Sequence, residues 1–156
     1  MQTDLIIFFA GIGPELANKI PPSELSFKTF LGQPEPDNFQ FSILSPSMLI
    51  KMCGLLKPKT SCGPDFMSTK RLQKIIYIIQ IPLCHLFNLS LNTGYIPQEF
   101  KTAKCIPIFK SDKKEDFNNY RPISLLSSFS KLFEKIVAKQ INYFLNHRDI
   151  LYMHQY

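Results

Sequence analysis

The sequence predicts an α+β fold, mostly helical, in which a small antiparallel ribbon at about 104–125 leads into a long amphipathic helix at about 127–147. Three observations predict it. Beyond residue 45, apolar residues recur at three- and four-residue spacing, the pattern of helices that bury one face. Serines stand where three of these runs begin, placed to cap the first turn. The exception is "CIPIFKSDKKEDFNNYRPISLL", Cys105–Leu126, where two short apolar runs flank ten polar residues, as in a hairpin. With 156 residues, 45% of them hydrophobic and 19% charged, the chain fits one domain with a buried core and is not a disordered polymer.

The elements follow in order. Residues 1–18 form a short apolar helix stopped by Pro21-Pro22, and residues 21–44 read as a linker with one strand at Phe39–Leu44, so that 1–44 is an N-terminal helix and linker. Gly11-Ile12-Gly13-Pro14 is not a dinucleotide loop: the third glycine is missing and Pro14 falls inside the turn. Ser45-Pro46 opens a helix to about Leu56, with Leu49, Met52 and Cys53 on its apolar face. Lys57–Pro64 is a loop, and Ser68 caps a helix at about Thr69–Gln80. Pro82 has no N–H and its ring clashes one turn back, so a break is expected there, with a second helix carrying Leu83, Leu86, Phe87 and Leu91 to a stop at Gly94. Pro97 restarts a short helical turn to about Lys101. Lys104–Phe109 is a strand, marked as an edge strand by Pro107, and Tyr120–Leu125 is its antiparallel partner. Ser127 or Ser128 caps the last helix, whose buried face runs through Phe129, Leu132, Phe133, Ile136, Val137, Ile141, Phe144 and Leu145.

Charge is uneven along the chain. Residues 1–50 carry two lysines and five acids, whereas residues 51–140 carry fifteen Lys/Arg and six acids, a net +9 that points to a polyanionic partner such as nucleic acid. The four cysteines form no CxxC pair and the three histidines complete no zinc pattern, so no metal site is expected. No basic stretch precedes the apolar run Leu5–Ala10, so no secretory signal is expected and the protein reads as intracellular. Ile75–Leu91 is apolar but interrupted by Gln80, Pro82, His85 and Asn88; it reads as core rather than membrane, with His85 as a core histidine.

The acids do not cluster as a two-metal site requires, and no phosphate-cradling glycine loop is present, so no catalytic residue is assigned. What remains is the basic hairpin. Its loop, Lys110–Asn119, carries Lys110, Lys113 and Lys114, and Arg121 stands where the second strand begins. A guanidinium fork matches phosphate oxygens, lysines add mobile point charge, and Pro122 holds the residue before it extended. Two readings fit these residues: a clamp on a triphosphate, or a solvated loop beside a surface arginine.

The run "IPIFKSDKKEDFNNYRPISLLSSFSKLFEKIV" resembles the first conserved block of the reverse transcriptases of non-LTR (LINE-type) retrotransposons. "TSCGPDFMS" is similar to that family's upstream Gly-Pro-Asp loop, "PLCHLFNLSLNTGYIPQEFKTAKCIPIFK" to the segment between, and "ILYMHQY" to the start of the next block. The resemblance implies that 45–156 is a partial fingers region, cut before the palm, whose hairpin closes over an incoming deoxynucleotide. Arg121 then matches the arginine that contacts the triphosphate, and Lys110 the accompanying lysine. Lys113, Lys114, Lys131 and Lys135 become candidates for contact with nucleic-acid backbone. The family uses Mg2+ and deoxynucleoside triphosphates on an RNA template and DNA primer. No aspartate-pair block like "YADD" occurs in this chain, so the resemblance implies no cofactor bound here and no synthesis by these residues alone. The rival expectation is a non-catalytic basic module that binds nucleic acid or a helical partner. Phe66 departs from the family, which often has a small or polar residue after Gly-Pro-Asp.

Overall fold

In the computed structural model, residues 2–30 and 38–150 are described. The predicted linker at 21–44 and the segment "ILYMHQY" therefore lie partly outside the described residues. The elements are α1 (Gln2–Asn18), a 3-10 turn (Phe27–Phe30), α2 (Pro46–Gly54), α3 (Thr69–Thr93), α4 (Gln98–Lys101), β1 (Ala103–Phe109), a second 3-10 turn (Phe117–Asn119), β2 (Tyr120–Leu126) and α5 (Ser128–His147). The expected α+β class, mostly helical with a two-stranded antiparallel ribbon before a long helix, is what the chain adopts. It divides into two compact units: residues 1–38 with 105–124, and residues 39–104 with 125–156.

The larger unit is built on α2, α3 and α5. Leu49, Met52 and Cys53 of α2 meet Leu72, Ile76, Leu83, Cys84 and Phe87 of α3 and Leu132, Phe133 and Ile136 of α5 in one buried cluster. Phe87 stands edge-on to Phe133 at 5.1 Å between ring centroids, and Phe100 closes the trio at 6.0 and 6.1 Å. Each major helix starts on the predicted serine. Ser45 accepts from the Met48 amide, Ser68 from Arg71, and Ser127 from Phe129 and Ser130, so orphan donors of the first turn are satisfied. Gly94, at φ 71°, ends α3 in the left-handed conformation that glycine adopts without strain.

Three expectations fail here, each for a local reason. Pro82 does not break the helix: α3 runs unbroken through it. Pro82 lies on the water-facing side, one turn after Ile78, which is 80% exposed. The Ile78 carbonyl that loses its donor can be hydrated, while Ile76, Leu83 and Phe87 hold both halves on the core. Phe39–Leu44 is not a strand. Its extended backbone is bonded by side-chain amides instead. Gln140 accepts the Ser42 N–H at 2.7 Å and donates to the Ser42 carbonyl at 3.3 Å. Asn88 does the same for Leu44, at 2.7 and 2.9 Å. His85, read as a core residue, faces outward. By length and composition α3 is long and apolar enough to cross a membrane; here seven of its residues are buried.

In the smaller unit, α1 and the hairpin tip share one ring contact, Phe8 edge-on to Phe117 at 5.8 Å. The ribbon register is set at its loop end, where the Lys110 N–H donates to the Asn119 carbonyl at 2.7 Å and the Phe109 and Tyr120 rings lie 5.4 Å apart. Continued along two strands of equal length, this register sets Pro107 opposite Pro122 at a non-hydrogen-bonded pair, where neither missing N–H interrupts the ladder.

Candidate functional site

The hairpin holds four of the six predicted contact residues. Side chains alternate across a strand, so Phe109 and Tyr120 occupy one face of the ribbon, while Lys110, Ile108 and Arg121 share the other. In that register Lys110 and Arg121 are diagonal neighbours on adjacent strands, close enough for long side chains to converge on one ligand. Both are exposed. Among the described residues no carboxylate is paired with Arg121, whose guanidinium stands free in solvent.

The loop itself is ordered by its own residues. Asp116 caps the 3-10 turn by accepting from the Asn118 amide at 2.9 Å. The Asn119 side chain donates to the Lys113 carbonyl at 2.9 Å, and the Tyr120 hydroxyl to the Lys114 carbonyl at 3.1 Å. These bonds use the backbone of Lys113 and Lys114 and leave both side chains exposed. The Lys114 ammonium lies 5.9 Å from the Phe109 ring centroid, within cation–π range. Asp116, the acid nearest in sequence to Arg121, is thus committed to capping, not to neutralising the arginine. Asp112 takes φ 77°, a left-handed conformation that aspartate tolerates at a turn.

Lys131 and Lys135 belong to the larger unit, on α5, and are half-buried. The structure thus places the four hairpin residues on one element and the two helix lysines on another. Among the described residues no three His, Cys, Asp or Glu side chains converge, so the residues present do not fit a site for the family's divalent metal.

One residue that sequence reasoning treated only as part of a motif proves structural. Gly63 packs against the junction of β2 and α5. A Cβ at this position would lie 2.6 Å from the Ser127 amide nitrogen and 2.7 Å from the Leu126 carbonyl, closer than such atoms approach. The loop also receives the Ser128 hydroxyl on the Met67 carbonyl at 2.7 Å. The Gly-Pro-Asp loop therefore buttresses the point where the second hairpin strand becomes α5. The Gly-Pro pair was visible in the sequence, but its partner, 63 residues further on, was not.

No protein-family profile matches the chain. It is similar to curated proteins of insects. Over 99 residues, 63% of its length, it is 35% identical to the probable RNA-directed DNA polymerase from transposon BS of Drosophila melanogaster. Over 92 residues, 55% of its length, it is 35% identical to the RNA-directed DNA polymerase from mobile element jockey of Drosophila funebris. Over 122 residues, 77% of its length, it is 27% identical to a retrovirus-related Pol polyprotein from the type-1 retrotransposable element R1 of Bradysia coprophila. The matched stretch amounts to 11%, 10% and 12% of these proteins, so the chain spans about a tenth of the relatives it matches.

Proposed function

This chain is a fragment of the reverse-transcriptase type found in non-LTR retrotransposons, and from that kinship we propose that it supplies the fingers contacts of such a polymerase. In this reading the hairpin closes on an incoming deoxynucleoside triphosphate. Arg121 binds phosphate oxygens through its planar fork, and Lys110, its diagonal neighbour, adds a second positive charge. Lys113, Lys114, Lys131 and Lys135 contact the backbone of the RNA template or DNA primer. Mg2+ would supply the metal chemistry of phosphoryl transfer, and none of the described residues is assigned to hold it. The observation that carries the reading is Arg121: exposed, unpaired with any described carboxylate, and on the same ribbon face as Lys110.

The test is nucleotide binding by the purified chain and by an Arg121→Ala variant. Loss of a charge-assisted phosphate contact should weaken deoxynucleoside triphosphate binding by roughly 10- to 100-fold. The Arg121→Lys variant, which keeps the charge but not the fork, should recover only part of it. Unchanged affinity in Arg121→Ala would remove the hairpin from the triphosphate site. Primer extension by the chain alone is expected to be absent, and measurable DNA synthesis would overturn its assignment as a contact segment.

A further inference from the structure

The extended segment Phe39–Leu44 has one backbone edge in use and the other open. In extended backbone the N–H and C=O of one residue point to the same edge, and those of the next residue to the opposite edge. Ser42 and Leu44 direct theirs at the helices. Gln140 brackets the Ser42 amide and carbonyl, Asn88 brackets those of Leu44, and the Cys84 thiol also donates to the Leu44 carbonyl at 3.0 Å. Phe41 and Ile43 therefore turn their N–H and C=O groups the other way. Among the described residues no hydrogen bond reaches any of these groups. Both residues are exposed, Ile43 at 90%. Nothing in residues 39–44 blunts the edge: they include no proline, no lysine and no glycine, while Phe39, Phe41 and Ile43 suit a strand.

Two cavities flank the segment, both within the larger unit. One, of about 430 Å3, is lined by Met48, Met52, Ile136 and Phe144, with Lys139 among its residues. The other lies on the α3 side, beside His85, Asn88 and Leu89. No described aspartate or glutamate lines either one. Lys139 is exposed, its ammonium 4.0 Å from the Met48 sulfur, and no described carboxylate is paired with it.

We propose that Phe39–Leu44 docks an extended, acidic peptide of a partner protein by strand addition, the peptide backbone pairing with Phe41 and Ile43 and a carboxylate meeting Lys139. A row of alternating donors and acceptors matches another peptide backbone and has no counterpart in a phosphate backbone. Main-chain bonds then supply the affinity, and the flanking cavities receive alternate side chains of the peptide. Charge selects the occupant. A second copy paired about a two-fold axis would present the same acid-free linings and a second Lys139, whereas an acidic peptide neutralises the lysine. The site uses no residue of the hairpin.

The test is fluorescence anisotropy of a labelled peptide that alternates valine and glutamate, titrated with the whole chain, beside thermal melting. Saturable binding is expected. The same peptide N-methylated at every residue keeps its side chains and charge but has no N–H to donate, and should not bind. Ile43→Pro removes a donor that the fold does not use; it should melt close to the parent and bind about ten-fold more weakly. Lys139→Glu should weaken binding about five-fold and turn the preference to a valine–lysine peptide. If Ile43→Pro melts lower, the methylated peptide decides the case, because it meets an unaltered protein. No saturable binding of the first peptide, equal binding of its methylated form, or a Lys139→Glu variant that still prefers glutamate would each overturn the proposal. So would concentration-dependent dimerisation that Ile43→Pro abolishes, which would give the edge to a second copy, or single-stranded RNA binding that Ile43→Pro abolishes.

Discussion

Gly63 and Ser127 are in backbone contact: a methyl group placed on Gly63 would lie 2.6 Å from the Ser127 nitrogen. Both partners of this contact are main chain, so no rotamer change can relieve it. The Ser127 hydroxyl meanwhile caps α5, which fixes the residue from its other side.

Gly63→Ala should therefore destabilise the fold by about 1–3 kcal/mol, the range of core overpacking. Chemical denaturation would show it as a lower midpoint. Pro64→Ala, its exposed neighbour in the same loop, should cost far less. Equal stability of Gly63→Ala and the parent would mean that the close approach does not persist in solution.

The two amide clamps on the 42–44 segment should differ in strength. Asn88→Ala leaves the N–H of Leu44, a residue 3% exposed, with no partner, at a cost of about 1–3 kcal/mol. Gln140→Ala leaves only Ser42, which water can reach, and should cost about 0.5–1 kcal/mol. Hydrogen exchange at the Leu44 amide should accelerate in Asn88→Ala and stay protected in Gln140→Ala. The reverse order would contradict the clamp.

The thiols divide into two classes. Burial pushes the Cys53 and Cys84 thiols above their ordinary value of 9.0, with an Asn88 contact partly opposing the shift at Cys84. Cys62 and Cys105 are half-exposed. Iodoacetamide should label the second pair in the native protein and the first pair only on unfolding, as read by mass spectrometry.

The same burial sets an alkaline limit. A raised folded-state pKa means that the unfolded chain ionises first, so the stabilisation is complete below 9.0 and is lost as pH rises through the folded values. The denaturation midpoint should fall between about pH 8 and about pH 10, and fall less in Cys84→Ala. A midpoint flat over that range would show that these thiols do not couple to folding.

Much of the fold was legible because its signals are local. Ser45, Ser68 and Ser127 announce helix starts, Gly94 announces a stop, and Leu132, Phe133 and Ile136 repeat at helical spacing. The misreadings share a cause, dependence on what lies across space. Pro82 breaks a helix or rides within it according to which side faces water. Extended backbone at Phe39–Leu44 becomes a strand only beside another strand, and here its neighbours are Asn88 and Gln140. Arg121 and the hairpin lysines were legible as charges in a turn. That Arg121 shares a ribbon face with Lys110 follows from a register that only the Lys110–Asn119 pairing fixes.

The opposed prolines of the ribbon have a consequence for behaviour in concentrated solution. At a non-hydrogen-bonded pair, each residue's N–H points away from the partner strand, outward. Pro107 and Pro122 therefore remove one donor from each outer rim of the hairpin at the same level. A third strand arriving on either side would meet a gap mid-length, so the ribbon is guarded on both flanks against strand-by-strand self-association of neighbouring chains.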